Sequence, residues 1–223
     1  MRAAQELPSE PEGELPLVPS FEGSADFDEQ TFLGVLDEAI AALKVADVPY
    51  VLIGGVASAI LGRGRWTHDI DMFLRDRNDA AAAIDALGAA AFATETTDDH
   101  WLYKGIKNDI LVDLIFKAKG DIYLDEEMLE RATEHDFKGR QVKVIPPEDL
   151  IVIKAVIHDE QTPRHWYDAL GIIANSELDW DYLLRRASRG PRRILALLVY
   201  AQSNDVIVPD RVIRDLHRTI YDA

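Results

Sequence analysis

The sequence predicts an α/β fold in its amino-terminal half, followed by an all-helical carboxyl-terminal part. Up to Pro146-Pro147, short apolar strand patterns alternate with amphipathic helical patterns, and after these prolines helical patterns continue almost to the end. Of the 223 residues, 48% are hydrophobic, which is enough for a packed core. We therefore expect an α/β domain over residues 28–146 and a helical domain over residues 147–223.

Each element of the α/β half is predicted from the spacing of its apolar residues and from the residues that interrupt them. Phe32, Val35 and Leu36 recur at helical spacing and predict an amphipathic helix. A β-branched apolar run that ends at Gly54-Gly55 predicts a strand followed by a tight turn. In chain order, we expect a helix over 32–43, a strand over 48–53, a short helix over 57–61, a strand over 69–74, a helix near 78–88, strands over 92–94, 101–104 and 110–116, a helix over 126–133 and a hairpin over 137–145.

Residues 1–30 differ in composition from the rest of the chain. They contain four prolines and eight acidic residues against a single base, Arg2. A segment of this composition cannot bury enough apolar surface to offset the entropy lost on ordering. We therefore predict that residues 1–27 form a disordered acidic arm.

Composition also excludes several classes of protein. The chain has no cysteine, which excludes disulfide frameworks, thiol catalysis and thiolate metal sites. Its formal net charge of -16 disfavours a protein that wraps nucleic acid with its whole surface. No run approaches the roughly 18 apolar residues of a membrane span, and the first residues lack the apolar segment of a secretion signal. The expectation is a cytoplasmic protein with no membrane partner.

The stretch from residue 51 to residue 74 is the most informative part of the sequence. Gly54-Gly55 follows a predicted strand and precedes a helix, so the backbone there could approach a phosphate closely. Asp69 and Asp71 lie two residues apart on the next strand, so both carboxylates face the same side of the sheet. Paired carboxylates suit Mg²⁺, which prefers oxygen ligands. The alternative is an ordinary turn and a solvated strand face.

Asp113 is a third acidic residue of interest. It interrupts the apolar run from Ile110 to Phe116, which otherwise predicts a buried strand. An unpaired buried carboxylate costs several kcal/mol, so it needs a cation from the protein or a metal ion. The alternative is an aspartate that faces water or pairs with an arginine.

These residues together resemble the nucleotidyltransferase superfamily with the DNA polymerase beta-like palm. The resemblance rests on Gly54-Gly55, followed by Gly62, Arg65, Thr67, Asp69-Ile70-Asp71 and the later Asp113. This form is similar to AbiEii-type and related minimal nucleotidyltransferases, several of which act as toxins of toxin–antitoxin pairs. The resemblance covers roughly residues 32–174.

The resemblance implies a palm with a mixed β-sheet and flanking helices, and transfer of a nucleoside monophosphate from an NTP such as ATP to an acceptor. It implies that Asp69, Asp71 and Asp113 bind two Mg²⁺ ions and that Asp113 takes the proton of the acceptor hydroxyl. A Ser or Thr on the glycine turn is common among relatives, whereas this chain has Val56 there and Ser58 two positions later. The nucleotide-binding residues implied by the resemblance are Gly54, Gly55, Ser58, Arg65, Thr67 and Lys154.

Lys154 is the single charge in the apolar run from Leu150 to Ile157, which predicts a buried helix. A buried ammonium group needs an anion, either the triphosphate or an aspartate; alternatively, its stem covers apolar surface while the amine reaches water. Asp168 follows in a stretch that the resemblance also covers. We expect Asp168 to position Lys154 or Arg164 rather than to bind metal.

Two further groups of residues could contact an acceptor. Arg185, Arg186, Arg189, Arg192 and Arg193 predict a basic patch that could steer an acceptor RNA or an acidic partner such as an antitoxin; a solvated helix end is the alternative. Trp66 and Trp101 could stack on a base, or pack at a rim.

Three functions are compatible with the sequence. The first is a Mg²⁺-dependent nucleotidyltransferase acting on RNA, tRNA or protein. The second is a catalytically silent palm that serves as a binding or regulatory module, and the third is a Mg²⁺ phosphohydrolase. The three aspartates favour an enzyme, and the Gly-Gly turn before a helix favours a nucleotide over a bare phosphoester.

Overall fold

A computed structural model describes residues 28–222, and a seven-stranded mixed sheet forms its centre. The strands are β1 (Tyr50–Leu52), β2 (Asp69–Leu74), β3 (Ala93–Asp98), β4 (Leu102–Lys107), β5 (Ile110–Ile115), β6 (Thr133–Phe137) and β7 (Arg140–Val144). Their order is β3-β4-β5-β2-β1-β7-β6. β2 is parallel to β5 and β1 is parallel to β7, whereas the other neighbours are antiparallel.

Nine α-helices surround the sheet or follow it within the described residues. They are α1 (Glu29–Val45), α2 (Gly54–Leu61), α3 (Arg77–Ala89), α4 (Glu126–Arg131), α5 (Pro147–Ile157), α6 (Arg164–Asn175), α7 (Trp180–Arg186), α8 (Pro191–Ser203) and α9 (Asp210–Tyr221), with a 3₁₀ turn at Ala187–Arg189. The predicted fold class, an α/β part with a mixed sheet followed by a helical part, is confirmed. The acidic arm predicted over residues 1–27 lies outside the described residues.

The two faces of the sheet have different chemistry. Gly105 of β4 lies opposite Val112 of β5, and a side chain at Gly105 would collide with Leu87 of α3. The face that carries Val112 is therefore apolar and packed on α3. Asp71 and Asp113 lie directly opposite each other on β2 and β5, and they point to the other face. That face is the one on which α2 packs.

α5 connects the sheet to the helical part. Pro147 occupies its first turn, where a missing N–H costs nothing. Every residue from Glu148 to Val156 is buried, because the helix packs on α2, α6, α7 and α8. One hydrophobic cluster contains residues from both halves of the chain. The domain boundary at residues 146/147 stays a prediction, although it coincides with the change from strands to helices.

Some predicted element boundaries were wrong. Gly54 and Gly55 form the first turn of α2 instead of a separate turn before a helix that begins at Ala57. The helix predicted over 126–133 ends at Arg131 because Ala132 is extended, and Thr133 already begins β6. β3 continues to Asp98, beyond the predicted end at Thr94. β3 and β6 are the edges of the sheet, and their exposed polar residues lack the apolar alternation that identifies a strand.

No helix in the part of the chain that the structure describes has the length and apolarity needed to cross a bilayer.

Candidate active site

A cavity of about 580 Å³ opens between the polar face of the sheet, α5 and the start of α6. Gly54, Gly55, Asp69, Asp71 and Lys154 line it. These residues come from β2, α2 and α5, so packing of the helical part against the sheet creates the cavity. Arg65 and Thr67, on the segment between α2 and β2, line it as well.

The two glycines at the start of α2 are required by close contacts. Gly54 has a positive φ of 60°, and a Cβ atom there would lie 1.7 Å from Oδ2 of Asp71. A Cβ atom at Gly55 would lie 2.3 Å from Oγ1 of Thr67. The N–H of Gly55 donates a long hydrogen bond of 3.4 Å to Oδ2 of Asp71. A larger residue at either position would displace a side chain of the cavity.

The three predicted aspartates cluster on adjacent strands. Asp71 pairs in register with Asp113, and Asp69 lies two residues earlier on the same face of β2. Burial, together with the negative charges of Asp69 and Asp113, raises the pKa of Asp71 to about 7. The hydroxyl of Thr67 donates to Oδ1 of Asp69. Three carboxylates therefore lie close together here. The nearby charges of Lys154 and Lys104 lower the pKa values of Asp71 and Asp113, but they do not offset the effect of burial.

The charge of Asp113 is partly compensated by a neighbouring lysine. Lys104 lies opposite it on β4, and its charge lowers the pKa of Asp113, but burial outweighs this and raises that pKa overall. Oδ1 of Asp113 is buried and makes no hydrogen bond to any described residue. Asp113 stands beside the cavity, next to Asp71, and is not among the residues that line it.

The donor set fits a divalent cation that prefers oxygen. Three neighbouring carboxylates, a raised pKa at Asp71 and an unpartnered oxygen at Asp113 are conditions that such a cation would relieve. Among residues 28–222, however, no three acidic or imidazole side chains converge closely enough to form a ready-made site. The carboxylate of Asp71 lies against Gly54, and the carboxylate of Asp69 accepts a hydrogen bond from Thr67. The two carboxylates therefore point towards different neighbours.

A buried ion network forms the opposite wall. Nζ of Lys154 donates to Oδ2 of Asp168 at 2.8 Å, and both side chains are at most 4% exposed. Nε and Nη2 of Arg65 donate to Oδ1 and Oδ2 of the same carboxylate at 2.9 and 3.0 Å. The prediction that Asp168 positions Lys154 is confirmed, whereas its second partner is Arg65 and not Arg164.

The electrostatics of this network keep Asp168 ionised. Burial alone would raise the pKa of Asp168, but the hydrogen bond from Arg65 and the charge of Lys154 outweigh it and lower that pKa. Burial lowers the pKa of Lys154, and Asp168 opposes this effect. Two cations share one carboxylate, so the network has an excess positive charge beside the cavity.

The structure does not place Ser58 at the cavity. Its side chain is 1% exposed, and its hydroxyl donates to the carbonyl oxygen of Gly54 at 2.6 Å, one turn earlier in α2. The prediction that Ser58 contacts the nucleotide is therefore corrected: the hydroxyl is used inside the helix.

The five arginines of the predicted basic patch all have local partners, although four of them, Arg185, Arg189, Arg192 and Arg193, stay exposed. Arg186 is 14% exposed and pairs with Asp125 and Asp149, and Arg185 pairs with Glu127. The other three are also engaged locally: Arg189 donates to the carbonyl of Asp121, Arg193 to the carbonyl of His158, and Arg192 lies over the ring of Tyr221. Carboxylates therefore offset the charges of Arg185 and Arg186, whereas Arg189, Arg192 and Arg193 form no ion pair among residues 28–222, and their role in contacting a partner stays a prediction.

The cavity also contains residues that the sequence did not assign to the nucleotide site, although Trp101 and Arg164 were noted for other roles. Lys117, Lys119, Arg164 and His165 line it, and Trp101 lies at its edge. Burial and the nearby charges of Lys154 and Arg164 lower the pKa of His165 to about 4, so its imidazole is neutral. In the sequence these residues lie about 45 to 110 positions after Gly54-Gly55, so their spacing alone does not place them beside it.

Comparison with known proteins identifies a family. Residues 33–177 match the family described as "Nucleotidyl transferase of unknown function (DUF2204)". This range is more than half of the chain, and it contains every residue that lines the cavity. The match confirms the predicted superfamily. A comparison with curated proteins finds no match.

Three solved nucleotidyltransferase or antibiotic-resistance proteins are similar to this chain. The lincosamide antibiotic adenylyltransferase LnuA, solved with lincomycin, is 16% identical, with a TM-score of 0.47 over 67% of this chain and 98% of that one. The antibiotic-resistance factor ANT(2'')-Ia is 21% identical, with a TM-score of 0.48 over 79% and 94%. MenT4, a nucleotidyltransferase toxin from Mycobacterium tuberculosis H37Rv, is 14% identical, with a TM-score of 0.41 over 80% and 68%. Likeness at this level carries no conclusion about a substrate.

Proposed function

This chain belongs to the DUF2204 family of nucleotidyl transferases, and we propose that it transfers a nucleoside monophosphate from an NTP to a hydroxyl group in the cavity. The observation that carries the proposal is the arrangement of opposite charges across one cavity. Asp69 and Asp71 line the sheet side, and Arg65 and Lys154 line the helical side. A triphosphate with bound cations needs carboxylates to hold the cations and positively charged side chains to neutralise the phosphates.

In the proposed reaction, the acceptor oxygen forms a bond to the α-phosphorus of the NTP. The bond from that phosphorus to the oxygen that bridges to the β-phosphorus breaks, and pyrophosphate leaves with the electron pair. The hydroxyl proton passes to Asp113, which stands beside the cavity and whose Oδ1 has no hydrogen-bond partner among residues 28–222. Catalysis in such transfers comes mainly from positioning and from neutralising charge.

Each residue of the cavity has a proposed role in this step. The N-terminus of α2 at Gly54 and Gly55 would admit the triphosphate against backbone N–H groups. Lys154 and Arg65 would neutralise it, with Asp168 holding both in place. Thr67 would orient Asp69.

Asp69, Asp71 and Asp113 are the residues that would hold Mg²⁺, with two ions expected. When bound, Mg²⁺ supplies charge stabilisation on the triphosphate and activates the acceptor hydroxyl. The raised pKa of Asp71 supports this assignment, because a nearby divalent cation would favour its ionised form. ATP is the NTP with which we would begin.

Label transfer tests the proposal. The protein is incubated with Mg²⁺, each α-labelled NTP in turn, total tRNA and a protein extract, in parallel with Asp69→Asn/Asp71→Asn. We expect label on an acceptor with the wild type and a loss of about 100-fold or more with the variant. The same protein with γ-labelled NTP should transfer no label. Release of inorganic phosphate without transfer would indicate a phosphohydrolase instead.

A pair of glycine variants tests the geometry of the site. Gly54→Ala places a Cβ atom on the carboxylate of Asp71, at a position with positive φ, so we expect transfer to fall by about 100-fold through misplacement of that side chain. Gly64→Ala is the matched control, because a Cβ atom there meets nothing within 4 Å. Equal activity of the two variants would contradict the assigned position of the triphosphate.

A catalytically silent palm is the rival function. It predicts NTP binding that Asp69→Asn/Asp71→Asn weakens, with no transfer to any acceptor. A folded wild-type protein with that behaviour would replace the proposal of an enzyme with that of a binding module.

A toxin-type role is supported by the resemblance of Gly62, Arg65, Thr67 and Asp69-Ile70-Asp71 to AbiEii-type proteins. Induced expression should then arrest growth of a host, the Asp69→Asn/Asp71→Asn variant should not, and co-expression of an antitoxin partner should restore growth. Unimpaired growth with soluble, active wild-type protein would contradict this role and leave the transferase proposal intact.

A further inference from the structure

The cations of the cavity fall into two groups. Lys154 and Arg65 share Asp168, and Lys117 pairs with Asp121. Lys119 and Arg164 differ from these three, because neither makes an ion pair or a side-chain hydrogen bond with any residue between 28 and 222, and both are exposed where they line the cavity. Two unpaired cations therefore border the same cavity as the aspartates.

Three aspartates that lie close in sequence to Lys119, Arg164 and Trp101 accept hydrogen bonds from other groups. Asp121 accepts from Lys117, and Asp159 accepts from the backbone N–H groups of Gln161 and Thr162. Asp98 accepts from the N–H of His100 and from the indole of Trp101. Among residues 28–222, neither Lys119 nor Arg164 forms an ion pair, although the charge of Lys119 helps to lower the pKa of Asp159.

Trp101 adds an aromatic surface to the same rim. Its side chain is 42% exposed, although its indole N–H is fixed by Asp98 at 2.9 Å. Its carbonyl accepts from the N–H of Phe116 at 3.0 Å, which anchors the β3–β4 turn to the end of β5. An exposed ring that is held in place costs little conformational entropy when a ligand stacks on it.

We propose that Lys119, Arg164 and Trp101 form the acceptor side of the cavity and bind a nucleotide unit, so that the group that receives the nucleoside monophosphate is a ribose hydroxyl. The inference rests on the proposed transferase function and specifies its acceptor. Lys119 and Arg164 contact a phosphate of the acceptor, and Trp101 stacks on its base.

The positive charge of Lys119 and Arg164 favours an anionic acceptor over a cationic one. A polycationic acceptor, such as an aminoglycoside, would place its ammonium groups against Lys119 and Arg164, which would repel them. A nucleotide gains from the two cations and from the aromatic ring together. The first turn of α6, which begins at Arg164 and has no side-chain cap, adds partial positive charge on the same side.

Two sources could supply this chemistry, namely the end of an RNA chain and a free mononucleotide. The experiment separates them by offering a short single-stranded RNA with a free 3′ hydroxyl, the same RNA with that hydroxyl blocked, adenosine monophosphate, and tobramycin as a cationic polyhydroxylated control. Binding of a fluorescein-labelled RNA is measured by anisotropy, and transfer is measured with α-labelled NTP.

The variants are Lys119→Glu/Arg164→Glu and Trp101→Ala. Lys44→Glu/Arg214→Glu is the matched control, because it changes the net charge equally at exposed positions outside this cavity. We expect the cavity variant to weaken binding of the RNA or mononucleotide, and its transfer efficiency, by about tenfold or more. Trp101→Ala should lower both by about fivefold or more. The affinity for a non-hydrolysable NTP should change by less than about threefold, as expected for residues that do not contact it.

The outcomes separate this inference from the proposed function. Transfer to RNA or mononucleotide that is unchanged by the charge reversal would overturn the inference, as would transfer confined to tobramycin or to protein. Binding of a nucleotide acceptor that is lost in the cavity variant and kept in the control would support the inference even if no transfer occurred. In that case the failure would lie with the transferase proposal. Absence of nucleotide binding by the wild type would also overturn the inference.

Discussion

Two buried aspartates of this protein are held by cations from other elements, and only one of them serves the cavity. Asp168 is clamped by Lys154 and Arg65, which both line the cavity. Asp149 accepts from Tyr182 and from Arg186, each at 2.6 Å, and none of these three residues lines it. Both carboxylates are nearly inaccessible, at 4% and 1% exposure.

The two networks also differ in their balance of charge. Two cations hold Asp168, and its pKa is lowered. Asp149 shares the single cation Arg186 with Asp125, and burial raises the pKa of Asp149 to about 6 against the opposing effects of Tyr182 and Arg186. A buried charge alone therefore does not mark a functional site. Excess positive charge directed at a cavity is the distinguishing feature.

Removing the carboxylate of Asp168 should have the largest effect. Asp168→Asn leaves Lys154 buried without an anion, so we expect the free energy of unfolding to fall by about 3–5 kcal/mol. Arg65 and Lys154 would also lose their common anchor, and transfer should fall by about 100-fold. Urea unfolding and label transfer measure the two effects.

The double variant Lys154→Met/Asp168→Leu separates these two effects. It replaces the ion pair with apolar groups, so its stability should exceed that of Asp168→Asn. Its transfer should nevertheless stay as low, because no ammonium group faces the triphosphate. A stable double variant with normal transfer would remove the distinction between the two networks.

Asp149→Asn should affect stability alone. Tyr182 and Arg186 each lose a charged acceptor in the interior, so we expect a loss of about 1–3 kcal/mol in the free energy of unfolding. Transfer per folded molecule should change by no more than about twofold, since these residues do not reach the cavity. The measurement is activity normalised to the folded fraction from circular dichroism. A large loss of transfer in fully folded protein would show that the second network also serves the site.

The smallest effect is a pH dependence at His165, beside the first network. Burial lowers its pKa from 6.5 to about 4, with further lowering by Lys154, Arg164 and His158 and an opposing effect of Asp168. The folded pKa lies below the unfolded one, so His165 contributes stability that is present above pH 6.5 and lost as pH falls through 4.

The test compares wild type with His165→Gln by thermal unfolding at several pH values. The side chain of His165 is partly exposed, so screening reduces the effect. We expect the Tm difference between the two proteins to shift by about 2–4 °C across that window, in favour of the variant at low pH. Parallel Tm curves would show that His165 titrates normally.

The sequence was sufficient to predict the sheet wall of the site but not the helical wall. Asp69 and Asp71 lie two apart on a strand, and strand geometry alone places them on one face. Lys154 could be predicted as buried because its neighbours on α5 are apolar all round. The bidentate pairing of Arg65 with Asp168 could not be predicted, because it joins residues 103 positions apart without a shared pattern.

The same contrast holds for the fold. Strands β2 and β5, with apolar runs, were predicted nearly to the residue. The edge strands β3 and β6 were misjudged, because pairing with one neighbour holds them in place and their own polar side chains do not indicate it. Lys119 carried no signal, and Arg164 was expected beside Asp168 instead of unpaired at the cavity, since a cation is recognisable as unpaired only when its surroundings are known.

The long separation between Arg65 and Asp168 has a consequence for synthesis of the protein. During translation, the sheet residues leave the ribosome well before α6, so a nascent chain holds the aspartates but lacks the carboxylate that fixes Arg65 and Lys154. Closing a loop of this length is slow compared with local helix formation. The ion network beside the cavity is therefore completed only late in folding, and an incomplete chain presents the aspartates without the anchored cations that face them.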